Sequence, residues 1–103
     1  MPRSADYTFR EPTKELTYSA QMQEWADFYH VELTWVDANV QTNGITEWHT
    51  YPCINGHEYP DFVAAGKSLR DARQRAAALI ITSPGKLEFA RTQPVPPAIY
   101  QVR

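Results

Sequence analysis

Gly66-Lys67-Ser68-Leu69-Arg70-Asp71-Ala72-Arg73-Gln74-Arg75-Ala76-Ala77 is the most informative stretch of this 103-residue chain. Ser68 followed three residues later by Asp71 approximates a capping box, in which the serine hydroxyl accepts from an otherwise unpaired backbone N–H. The alanine-rich segment 72–78 has high helical propensity, and Ala72, Ala76, Leu79 and Ile80 continue one apolar face until Ser83-Pro84-Gly85 stops the helix. Lys67, Arg70, Arg73 and Arg75 set four cations against one acid at the start of this helix. A helix N-terminus presents unpaired N–H groups and partial positive charge, so cations gathered there make a site suited to phosphates. The same charges also suit a plainly solvated helix face.

Upstream, Met22, Trp25, Ala26 and Tyr29 fall at spacings of three, four and seven, which predicts a helix over 19–30 with Ser19 as its N-cap. Val31-Glu32-Leu33-Thr34-Trp35 then alternates apolar and polar with period two and is rich in β-branched and aromatic types, the pattern of a half-buried strand. Residues 37–44 read as a turn region, since Asn43-Gly44 supplies the positive φ that a reversal requires. Trp48, Thr50, Pro52 and Ile54 share one parity and predict a second strand ending at the next turn pair, Asn55-Gly56. Pro52 cannot donate to a ladder, which argues for an edge or a bulge there. A third strand is expected over 57–65, interrupted near Pro60-Asp61 and resuming at Phe62-Val63. The order is α-β-β-β-α, an α+β domain over 19–82. It follows an irregular leader, 1–18, able to drape on the domain, and precedes an extended Pro-containing tail, 83–103, whose Leu87, Phe89, Ile99 and Tyr100 could dock on it.

With 43% hydrophobic and 21% charged residues the chain has the make-up of one folded domain, too short for a barrel or a dinucleotide-binding enzyme. No apolar run approaches the ~18 residues of a membrane span, and Met1-Pro2-Arg3-Ser4 lacks an apolar signal core, so no membrane association is expected. A single cysteine, Cys53, cannot form an internal disulfide and suits a reducing compartment, cytoplasmic or nuclear. The formal charge of −2 hides an asymmetry: residues 5–65 hold ten acids and two bases, residues 66–103 seven bases and two acids. A basic segment of this kind hints at an anionic partner.

Catalytic and metal chemistry find little purchase. His30, His49 and His57 are scattered, and Cys53 with His57 forms only a C-x3-H fragment, short of the four ligands of a structural zinc site. The same pair, as nucleophile and base, lacks a visible oxyanion hole, and no Gly-rich phosphate loop is present. No catalytic residue, metal, cofactor or small-molecule substrate is expected.

The layout resembles a double-stranded-RNA-binding domain, whose pattern is α-β-β-β-α with a G-x-S-K-K-x-A-K-x-x-A-A signature opening the last helix. Here the signature stands as G-K-S-L-R-D-A-R-Q-R-A-A. Gly66, Ser68, Ala72, Ala76 and Ala77 match in register, Arg70 and Arg73 take two of the three lysine positions, and Leu69 takes the other. Met22-Gln23-Glu24-Trp25 is similar to the family's L-N/Q-E-L segment, and Trp48 with Ile54-Asn55-Gly56 resembles its second strand and turn. The likeness covers roughly 12–81. It implies a three-stranded antiparallel sheet with two helices on one face, and shape-based recognition of duplex RNA with little sequence specificity. Gln23 and Glu24 would touch 2′-hydroxyls, while Lys67, Arg70 and Arg73, with Ser68 among them, would meet phosphates. Where the family places G-P-x-H, in the strand 1–2 loop, residues 41–47 contain neither proline nor histidine. A second expectation of a different kind follows: a degenerate domain of this type serving as a protein-interaction or homodimerisation module, through an exposed third strand or an uncovered Leu69.

Overall fold

The first helix, α1 (Tyr18–Tyr29), begins where Thr17 accepts a hydrogen bond from the Ala20 N–H, two residues ahead of the Ser19 cap expected from sequence. Ser19 is inside the first turn, its hydroxyl 3.2 Å from that of Thr17. The helix closes at His30, whose φ of 58° lets the Val31 N–H reach the Ala26 carbonyl, a Schellman-type ending. The computed structural model describes residues 7–94. Ile99 and Tyr100, like the first six residues, lie outside the described residues.

The chain turns directly into β1 (Leu33–Thr42) and returns as β2 (Ile45–Ile54), antiparallel, with Leu33 opposite Ile54 and Thr42 opposite Ile45. The segment 37–42, expected as a turn, is therefore strand. Asn43 at φ 54° and Gly44 at φ 80° make a two-residue reversal of the I′ kind, whose twist matches the strands and so lets pairing continue to the turn itself. Asn55 and Gly56 repeat the device at φ 53° and 86°. The third strand position is filled by two short pieces, β3 (His57–Glu58) and β4 (Ala64–Gly66), both paired with β2 and separated by a 3₁₀ turn (Pro60–Phe62). The interruption falls at Pro60-Asp61 as expected, but the strand resumes at Ala64 rather than at Phe62-Val63, because Phe62 completes the 3₁₀ turn, and the result is a sheet of four strands.

Pro52 sits in the central strand rather than at an edge, because the two neighbours of β2 leave a gap there. Hydrogen-bonded and non-bonded pairs alternate from Thr42–Ile45, which makes Trp35–Pro52 a non-bonded pair and turns the missing donor away from β1. On the other side, Trp48–Thr50 meet β4 and Cys53–Ile54 meet β3, so position 52 has no ladder donor to lose; its carbonyl accepts from Tyr59 N.

After Gly66 comes α2 (Leu69–Ile81), capped as expected by Ser68, which accepts from the Asp71 N–H. A Cβ on Gly66 would lie 2.7 Å from the Ala72 nitrogen, so the glycine lets strand and helix backbones meet. Residues 86–92, expected as extended tail, form a further helix, α3 (Lys86–Thr92), and the packed domain runs past residue 82. Leu87 and Ala90 are buried with Met22, Trp25 and Ala26 of α1, Ala77 and Ile80 of α2, and Ile54 of β2. Helices thus cover the sheet face that carries Leu33, Trp35, Pro52 and Ile54. The leader drapes on α1 as anticipated: the Gln21 carboxamide, completely buried, accepts from the Arg10 N–H and donates to the Arg10 carbonyl, both at 2.9 Å. Tyr7 packs edge-on against Phe9 and Phe28. The fold is α+β, and no helix among the described residues is long and apolar enough to cross a membrane.

Candidate nucleic-acid interface

The α2 N-terminus fixes the cations. Lys67 lies on the two-residue link from β4 to α2, next to the Ser68 cap, and Arg70 projects from the first turn; both are exposed and form no hydrogen bond or ion pair with the described residues. Lys67 reaches the far end of the hairpin, lining a shallow cleft with Thr42, Asn43, Ile45, Thr46 and Glu47. The fold thereby joins the start of α2 to the β1–β2 reversal, two of the three elements named by the resemblance. The Ser68 hydroxyl accepts from the Asp71 N–H and so holds the first turn in place, and the residue is exposed.

Arg73, one turn further on, is differently engaged. Its guanidinium grips both oxygens of Asp37, at 2.5 Å from Nη2 and 3.4 Å from Nε, and its Cζ lies 5.9 Å from the centre of the Trp35 ring. Thr50, fully buried, donates to the same carboxylate at 2.6 Å. Burial by itself would raise the Asp37 pKa, but the hydrogen bonds from Arg73 and Thr50, with the guanidinium charge, outweigh it and hold the group below its ordinary 3.8. With side chains only 35% and 25% exposed, the pair is bidentate and partly desolvated, stronger than a freely solvated ion pair.

On α1, Gln23 and Glu24 are exposed, with local partners of their own. The Gln23 amide donates to Asp27 at 3.1 Å. Glu24 Oε1 accepts from the Tyr7 hydroxyl at 2.6 Å and has Arg10 at 3.9 Å, while the side chain stays 49% exposed. The Tyr7 hydroxyl is in turn raised in pKa, by burial first and then by this bond. None of these contacts links α1 to Lys67, Arg70 or Arg73. Sequence reasoning missed Asp37, Tyr7 and Arg10, because their partners are 36, 17 and 14 positions away and nothing local marks them.

The histidines and Cys53 stay apart. His57 Nε2 is 2.7 Å from the Pro94 carbonyl, His49 pairs with Glu47, and Cys53 is half-buried on β2. Among the described residues no three His, Cys, Asp or Glu side chains stand together as a metal site. Comparison with known proteins finds no matching family model and no matching curated protein.

Proposed function

We propose that this is a domain of the double-stranded-RNA-binding kind that binds duplex RNA weakly, by shape and phosphate contacts, without sequence preference and without catalysis. The observation that carries the reading is the pairing of two unengaged cations, Lys67 and Arg70, at a helix N-terminus that opens beside the hairpin reversal. Such an end attracts phosphate through its N–H groups, its dipole and its side chains together. On α1, the groups that would meet a 2′-hydroxyl are the exposed Gln23 amide and the Glu24 carboxylate, of which only Oε1 meets Tyr7 and Arg10. Arg73, held by Asp37, contributes little, and the acids of residues 5–65 oppose the attraction, which is why the affinity is weak. The setting that suits this ligand and a lone thiol is the cytoplasm or nucleus.

A second reading, a protein-interaction or homodimerisation module, is favoured by the Arg73–Asp37 pair, which already partners one of the signature cations within the chain.

The test is a titration with an RNA duplex of about 20 base pairs, long enough for the roughly 16 such domains span, against a DNA duplex of equal length at two salt concentrations. RNA preference with affinity falling steeply as salt rises supports the first reading. Equal, salt-insensitive or undetectable binding overturns it.

A further inference from the structure

The outer edge of β1 is a ten-residue strand with no ladder partner among the described residues. Natural edge strands are usually blunted by proline, a bulge or several charges. This one has no proline, keeps unbroken register with β2, and carries a single charge, Asp37, already neutralised by Arg73. The Asp37 side chain is only a quarter exposed, and much of the open surface at this residue is backbone.

We infer that β1 pairs antiparallel with β1 of a second copy of this chain, about a two-fold axis at Ala38. The alternation that directs even-numbered β1 residues to β2 directs the N–H and C=O groups of Trp35, Asp37, Asn39 and Gln41 outward, so only registers that pair odd with odd can form. Centring on Asp37 sets two carboxylates opposite each other, which costs stability. Centring on Ala38 sets Asp37 against Asn39 of the other copy, Val36 against Val40, Thr34 against Thr42 and Trp35 against Gln41. The smallest side chain then falls on the axis, in a non-bonded pair where Cβ atoms come closest. Val40, 41% exposed in the single chain, gains an apolar neighbour. An isologous contact closes as a dimer and does not propagate. This inference rests on the second reading above and gives it a surface.

The experiment is sedimentation velocity of the full chain across a concentration series, for the native protein, Ala38→Arg, Ala38→Asp, their equimolar mixture, and Asn39→Pro. Asn39→Pro removes an outward N–H while sparing the bonds to β2. The native chain should show a concentration-dependent monomer–dimer equilibrium. Each single variant should self-associate roughly tenfold or more weakly, with an unchanged circular dichroism spectrum, and the Arg–Asp mixture should recover dimer, because only a two-fold through residue 38 sets those charges face to face. A native chain that stays monomeric overturns both this inference and the homodimer form of the second reading. A native dimer that the position-38 variants leave intact, or a mixture that does not recover, overturns only the β1 axis.

Discussion

The two halves of the β1–β2 hairpin share one unbroken ladder and have opposite surroundings. At the root, Leu33, Trp35, Pro52 and Ile54 lie under the helices, and Ile54 has no exposed surface; at the far end every residue from 37 to 47 is exposed, Ile45 to 69%. The ladder and a well-matched turn suffice to continue the strands, but only the root contributes burial to stability. The far end keeps the open outer edge of β1 and the cleft beside Lys67, the two surfaces on which the proposals above are placed. The boundary is the Asp37–Thr50 pair, pinned from above by Arg73.

The largest contrast comes from truncating isoleucine at the two ends. Ile54→Ala removes a fully buried side chain from a small core and should cost about 2–5 kcal/mol in denaturant unfolding. Ile45→Ala should stay within about 0.5 kcal/mol. Equal effects would mean that the far end is packed after all.

A smaller effect marks the boundary. Because the folded Asp37 pKa is depressed below 3.8, its contribution to stability is fully present above that value and is lost as pH falls through the lower folded pKa. Urea unfolding from pH 6 to pH 2 should therefore show native stability declining in acid below about pH 4 by more than that of Asp37→Asn, which has no carboxylate to protonate. Parallel curves would show that Arg73 gains nothing from this partner.

Legibility in the sequence followed the range of the interactions involved. The start of α2 was readable because Ser68 and Asp71 act within one turn, and Asn43-Gly44 because two adjacent positive φ angles have a local signature. Residues 37–42 were misread because Asp37 and Asn39 carry turn chemistry, while what keeps them extended is pairing with Thr50 and Trp48 across the sheet. The seven residues of α3 are too few to show a period, and Leu87 and Ala90 earn the helix only by packing on Ile80 and its neighbours. For the site, Lys67 and Arg70 are exposed beside the Ser68 cap that the sequence marks, whereas the Arg73–Asp37 and Tyr7–Glu24 contacts depend on partners in distant elements.

The central claim is that the two unengaged cations, and not the clamped one, meet phosphate. Comparing Arg70→Ala with Arg73→Ala in binding to the same RNA duplex over a salt series tests it most directly. The account predicts weaker binding and a shallower salt dependence for Arg70→Ala, with Arg73→Ala close to native. Equal losses, or a loss confined to Arg73→Ala, would contradict it.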